Sequence, residues 1–254
     1  MDRDVHAFAR LRRVWVGLAS IVFAGALALA IGTAGAAPQI AVLGAAAPAS
    51  PACPASCQAV ARTTGFQASI GATKNPFVVP YSGKIVAWSI KLGAPSGSDA
   101  QFFTEKFGAA EARLAVLKPV MKKIKQGKPI YRLKKQTPVE KISDYFGTTT
   151  TFALQQPLKV KQNQILGLSV PTWAPGLALN QGGQTVWTAS RRRTSCGNDQ
   201  KTALEDTLAG RAQDVLGSNR AYGCSYKTAR ILYSATIVKD PNAAPPPAPK
   251  KPKK

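Results

Sequence analysis

Apolar and polar positions alternate with a period of two along most of the chain between residues 63 and 240. In residues 84–92, Val86, Trp88 and Ile90 fall on one side, while lysine and serine lie among the alternate positions. Such alternation is typical of a strand with one buried face. Similar alternation, or a short apolar run bounded by turn residues, predicts further strands at residues 65–70, 77–79, 112–117, 129–135, 150–155, 158–161, 165–170, 185–189 and 229–238.

One segment has helical periodicity instead. Residues 199–216 place four apolar side chains on one helical face, with Asn198 or Asp199 as the cap and Gly217 as the stop. The four are Leu204, Leu208, Ala212 and Val215. Many short strands with little helix predict an all-β fold, an antiparallel β-sandwich of the jelly-roll type with one short helical excursion and disordered termini.

The first residues have the order of an export signal. Four arginines between Arg3 and Arg13 precede an uncharged apolar run over residues 14–30, and small residues at Ala34 and Ala36 supply a cleavage site. We therefore predict a signal peptide over residues 1–36. The apolar run is also long enough for an uncleaved membrane anchor. In both cases the positive flank stays inside, and the rest of the chain is secreted or associated with the cell envelope.

Composition divides the remaining chain into three parts. Residues 37–62 are mostly Ala, Pro, Ser and Cys. Such a segment has too little apolar surface to offset the entropy of ordering, and it predicts a stalk. Residues 63–240 have enough apolar residues for one domain. Residues 241–254 are rich in proline and lysine and predict a disordered basic tail.

All four cysteines follow the predicted cleavage site, which fits disulfides formed in an oxidising compartment. Four cysteines allow three pairings. We favour Cys53 with Cys57 and Cys196 with Cys224, because each pair flanks a short turn-rich segment. The spacings do not match the paired C-x2-C knuckles of a four-thiolate zinc site.

The only histidine is His6, which lies in the predicted signal peptide. The exported part therefore lacks the side chain on which Ser-His-Asp triads, imidazole bases and His-ligated metals depend. We predict no catalytic residues, no metal and no cofactor. An alternative is a polysaccharide-active enzyme without histidine: either a glycosidase with two carboxylates, or a lyase that acts on acidic polysaccharide through Tyr with Lys or Arg.

Without its first 36 residues, which hold four arginines and two aspartates, the chain has 30 basic and 10 acidic residues, a net charge of +20. Such a charge favours anionic partners through a field that salt weakens. The candidate anion-binding residues are Lys122, Lys123, Lys125, Lys128, Arg132, Lys134, Lys135, Arg191, Arg192, Arg193, Lys250, Lys251, Lys253 and Lys254. Solvated edge-strand surface is the alternative for the first cluster. A nonspecific polyanion or nucleic-acid binder is a further alternative, without a supporting motif.

Sugar-binding β-sandwiches usually present an aromatic ring on which a pyranose packs. Trp173 is the best candidate, since it lies between two prolines after a strand, with Trp187, Tyr222 and Tyr226 as potential neighbours. In the alternative interpretation Trp173 closes the end of the core. The predicted function is a noncatalytic secreted or envelope module that contacts cell-wall glycan or another anionic envelope polymer.

Three segments carry a resemblance. FVVPYSGKIVAWSIKL from Phe77, PLKVKQNQILGLSVPTWAP from Pro157 and CSYKTARILY from Cys224 resemble uncharacterised exported proteins of actinobacteria. The resemblance covers most of the predicted domain. It implies a sandwich fold and no assigned activity, so no functional residue is carried over.

Overall fold

A computed structural model describes residues 38–45, 48–120, 129–197 and 200–243. Its two α-helices are α1 (Gly97–Phe107) and α2 (Gln200–Ala209). The strands within these ranges are β1 (Ile40–Leu43), β2 (Val60–Ile70), β3 (Thr73–Lys74), β4 (Gly83–Lys91), β5 (Glu111–Pro119), β6 (Ile130–Gln136), β7 (Glu140–Lys141), β8 (Thr149–Val160), β9 (Ile165–Ala174), β10 (Leu177–Ala178), β11 (Val186–Ala189), β12 (Asn219–Ala221), β13 (Cys224–Lys227), β14 (Arg230–Ile231) and β15 (Tyr233–Lys239).

The strands form antiparallel sheets. The small sheet has the order β1-β15-β4-β8, and the large sheet has the order β12-β6-β5-β9-β2-β11-β13, with β3 added on β2 and β7 on β5. β10 pairs with β14. The large sheet curls into a half-barrel. The predicted mostly antiparallel β fold is therefore confirmed, and the described residues contain two short helices where the sequence predicted one.

The apolar faces of both sheets share one core. Trp88 and Ile90 of the small sheet and Leu114 and Leu168 of the large sheet are almost completely buried in the same cluster. Tyr233 also links the sheets, because its hydroxyl donates to the Leu166 carbonyl oxygen at 2.9 Å. A buried phenol that has found an acceptor avoids the cost of desolvating an unpaired hydroxyl.

The alternation in β4 differs by one residue from the predicted pattern. Ile85 is fully buried and Val86 only partly, although Val86 has the parity of Trp88. The pairing with β8 and with β15 shifts register at this point. A β-bulge of this kind moves every residue on one side of it to the opposite face. Sequence periodicity alone does not reveal such a bulge.

Other element bounds also differ from the predictions. Residues 77–79 contribute only an isolated bridge between Val78 and Ile165. The two strands predicted within residues 150–161 form the continuous strand β8, and residues 229–238 are divided between β14 and β15. Helix α1 was not predicted at all, although Ser96 is a good N-cap whose hydroxyl accepts from the Asp99 amide.

The helix predicted over residues 199–216 ends at Ala209. Gly210 follows, and glycine weakens a helix because it loses the most backbone entropy on ordering. Beyond it the chain bonds to the large sheet instead, since the Gln213 amide donates to the Thr64 hydroxyl at 2.9 Å. Val215 is consequently 67% exposed rather than part of an apolar helical face.

Part of the predicted stalk forms regular structure. β1 pairs with β15 over its four residues, and Leu43 is buried against the core. Further along, the Ala52 amide donates to the Leu177 carbonyl oxygen at 2.8 Å. The edge of β15 supplies the hydrogen-bond partners of β1. The composition of residues 37–62 does not indicate that such partners exist. Residues 38–45 therefore include an edge strand of the small sheet.

The structure contains the disulfides Cys53–Cys57 and Cys196–Cys224, so the favoured pairings are confirmed. In the described ranges no helix has the length and apolar character needed to cross a membrane.

Candidate functional site

A lysine-rich groove of about 1130 Å³ opens where the ends of strands from both sheets lie side by side. The small sheet contributes the start of β4 and the end of β8, and the large sheet contributes parts of β5 and β6. Its basic residues are Lys84, Lys118, Lys134, Lys135, Lys159 and Lys161. One carboxylate, that of Asp240, also lines the groove. We call this surface the lysine groove.

Strand alternation places these side chains outward. In β6, Leu133 is fully buried while the next residue, Lys134, is exposed. In β5, buried Leu117 is followed by exposed Lys118. The core anchors each strand through its apolar residue, and the neighbouring lysine then projects into solvent. Five of the six lysines of the groove are thus carried by strands, and Lys161 lies in the turn that follows β8.

The turn between β8 and β9 closes one end of the groove. The Lys161 amide donates to the Gln164 side-chain oxygen at 2.7 Å, and the Gln162 amide donates to the Ser82 hydroxyl at 3.3 Å. Asn163 has a φ of 64°, a left-handed conformation that asparagine tolerates better than most residues. These bonds fix the backbone that carries Lys161.

Two lysines of the groove are direct cross-strand partners. Lys84 of β4 lies opposite Lys159 of β8, and both side chains are exposed. Like charges directly opposite each other destabilise a strand pair. A bound polyanion would relieve that repulsion, so the groove has the electrostatics of a surface that binds extended negative charge.

The described residues include only part of the predicted basic cluster. Lys134 and Lys135 lie in the lysine groove. Arg132 is exposed and donates from Nε to the Asn219 side-chain oxygen at 3.0 Å. The remaining members of that cluster and of the tail lie outside the described residues: Lys122, Lys123, Lys125, Lys128, Lys250, Lys251, Lys253 and Lys254.

The three consecutive arginines have different environments. Arg191 is partly buried, and its guanidinium donates to the Thr207 hydroxyl at 3.1 Å and to the Ala61 carbonyl oxygen at 2.9 Å. Arg192 and Arg193 are exposed. None of the three lines the lysine groove.

Trp173 is buried, with 1% of its surface exposed. Its ring stacks on Phe103 of α1 with centroids 4.9 Å apart and lies 5.3 Å from the ring of Phe146. Its indole N–H donates to the Gly108 carbonyl oxygen at 2.9 Å. These contacts support the alternative in which Trp173 closes the core, because helix α1 covers the face that a sugar would need.

The other three candidate aromatic residues lie elsewhere on the large sheet. Trp187 and Tyr226 are cross-strand partners whose rings stack at 4.4 Å, and Trp187 is 6% exposed. Burial raises the pKa of Tyr226, and the nearby Arg191 guanidinium opposes that rise. Tyr222 is 2% exposed and donates to the Gln213 side-chain oxygen at 3.0 Å. Of the four candidate aromatic residues, the structure thus brings Trp187 and Tyr226 together, in largely buried packing.

The sequence pattern did not indicate that Lys84, Lys159 and Lys161 belong to a site, since these lysines were recognised only as polar positions of strands. Lys118 belongs to the basic cluster of residues 118–135, for which a binding patch and a solvated edge-strand surface were both left open. Alternation indicates that Lys159 and Lys161 face outward, whereas Lys84 has the parity of Trp88 and faces outward only because of the bulge in β4. It does not indicate that strand ends from two different sheets lie together.

No family model, curated protein or solved structure matched the chain when it was compared with each of these sets. The resemblance to exported actinobacterial proteins therefore stays a prediction.

Proposed function

We propose that this protein is a noncatalytic module that acts outside the cytoplasm, secreted or held at the cell envelope, and binds an anionic polymer along the lysine groove. The polymer class is a cell-wall or envelope chain with regularly repeated phosphate, carboxylate or sulfate groups. The jelly-roll strand order belongs to the same proposal, as a prediction from the sequence.

The observation that carries the proposal is the charge of the groove. Six lysines and one aspartate line a single open surface between the two sheets. Lysine heads on flexible stems interact with phosphate or carboxylate as point charges and can follow a chain without a fixed geometry. The lysines are spread over strands of both sheets, so an extended polymer can contact more of them at once than a compact ligand can.

Two disulfides support the proposed compartment, because such bonds persist in oxidising spaces. The predicted signal peptide leads to the same compartment. An acidic envelope polymer is a partner that the folded domain would meet there.

The test compares two double variants with the same change in net charge. Lys84→Gln with Lys159→Gln removes the cross-strand pair from the groove. Lys74→Gln with Lys141→Gln removes two exposed lysines of β3 and β7 that do not line it. Binding of the full chain to inorganic polyphosphate and to polyglutamate is measured at several salt concentrations, with neutral dextran as a reference polymer.

We expect the groove variant to lose affinity and to lower the slope of log K against log salt by up to about two, because the polymer releases fewer counterions when it neutralises its charge with two fewer lysines. The same variant should have a free energy of unfolding that is higher by a few tenths of a kcal/mol, because the repulsion between the two lysines is gone. The control variant should bind nearly as well as the wild type. Equal losses of affinity in both variants would show that polymer binding depends on net charge and not on the groove.

A further inference from the structure

A second, separate cleft of about 550 Å³ is lined by four arginines. They are Arg191, Arg192, Arg211 and Arg220, and Asp206 also lines the cleft. The segment after β11, the end of α2 and strand β12 meet there. The arginine cleft shares no lining residue with the lysine groove.

Two of the arginines are held by neutral acceptors. Arg191 donates to the Thr207 hydroxyl and the Ala61 carbonyl oxygen, and Arg220 donates to the Arg211 carbonyl oxygen. Bonds to hydroxyl and carbonyl groups orient a guanidinium but leave its positive charge uncompensated. The carboxylate of Asp206 is engaged with the backbone, since it accepts from the Gly197 amide at 2.9 Å. The cleft therefore keeps a strong excess of positive charge on partly preoriented groups.

The loop that carries Arg191 and Arg192 is fixed to the large sheet. The Cys196–Cys224 disulfide joins its end to β13 with the Cα atoms 5.3 Å apart. The Gly223 amide donates to the Arg191 carbonyl oxygen at 2.8 Å, and a Cβ at residue 223 would lie only 2.6 Å from that oxygen. Only glycine permits this approach, so the arginine positions depend on both features.

We infer that the arginine cleft binds a compact, multiply charged oxyanion of the phosphate or sulfate type, carried by a small molecule. Guanidinium groups pair with such oxyanions through two parallel hydrogen bonds, which lysine cannot do. The volume lies within the range of small-molecule sites. One carboxylate against four arginines leaves three positive charges, enough to balance a dianionic or trianionic group.

The probe is inorganic pyrophosphate, titrated into the full chain by calorimetry, with inorganic sulfate and acetate as further anions. The test variant is Arg211→Gln, because this side chain is exposed and its backbone carbonyl remains available to Arg220. The conservative variant is Arg211→Lys. Lys74→Gln is the matched control for loss of one positive charge, because Lys74 is exposed on β3 and lines neither the arginine cleft nor the lysine groove.

We expect saturable pyrophosphate binding that Arg211→Gln weakens by roughly tenfold, with Arg211→Lys in between, as for loss of a charge-assisted paired hydrogen bond. Acetate should bind much more weakly, and the Lys74→Gln variant should bind pyrophosphate as the wild type does. Unchanged thermal unfolding of Arg211→Gln shows that the loss is local. Absence of saturation at millimolar pyrophosphate, or equal losses in Arg211→Gln and Lys74→Gln, would overturn the inference. Failure of polymer binding to the lysine groove leaves this result unaffected.

Discussion

The substitution Trp173→Ala distinguishes a role of Trp173 in the core from a role as a sugar-binding ring. Trp173 is 1% exposed, and truncation of a buried tryptophan costs about 3–5 kcal/mol. The ring contacts with Phe103 and Phe146 contribute to that figure, each by about 0.5–1.5 kcal/mol. The Gly108 carbonyl oxygen also loses its indole donor. We therefore expect a loss of about 4 kcal/mol in the free energy of unfolding, with a fall in Tm of roughly 10 °C.

The assay is urea unfolding followed by far-UV circular dichroism, since removal of a tryptophan alters the fluorescence signal itself. Trp173→Phe keeps a ring in place and removes only part of the side chain with its N–H, so its loss should be about 1–2 kcal/mol. Phe102→Ala is the control, because Phe102 lies on α1 and is 43% exposed. Its loss should stay below about 1 kcal/mol. A Trp173→Ala protein that keeps its stability and loses glycan binding would refute the assignment to the core.

The two disulfides should contribute unequally, because the loops they close span 28 and 4 residues. Replacing Cys196 and Cys224 with alanine should cost about 3.5 kcal/mol and replacing Cys53 and Cys57 about 2 kcal/mol by loop entropy, as measured by urea unfolding; the reverse order would contradict this account. Burial raises the pKa of Tyr222 well above its ordinary value of 10.0. The native state therefore keeps this proton when the unfolded chain releases it, so stability falls as the pH rises above about 10. The Tyr222→Phe variant lacks this titration, so the difference in free energy of unfolding between wild type and variant should shrink by up to about 1.4 kcal/mol per pH unit above about pH 10, as measured by urea unfolding. A difference that stays constant would mean that the pKa of Tyr222 is not raised.

Helix α1 is an element that the sequence pattern did not predict. Its N-cap signal, Ser96 followed by Asp99, is present in the sequence, but no regular apolar stripe accompanies it. The helix forms because Phe103 stacks on Trp173, which is distant in sequence, and Phe107 in turn packs against Phe103. Tertiary contact thus supplied the stability that local pattern did not indicate.

The sequence by itself predicted most strand positions and favoured, among three possible pairings, the two disulfides that the structure contains. Period-two alternation reports which residues of one strand share a face, and short cysteine spacings restrict the pairings. Only the tertiary structure decided which faces are covered and which strand ends are neighbours. Lys84 and Lys159 lie far apart in sequence and meet through strand register, as do the arginines of the second cleft through the packing of separate segments. The burial of Trp173 was decided in the same way, because a periodic pattern carries no information about the element that packs over it.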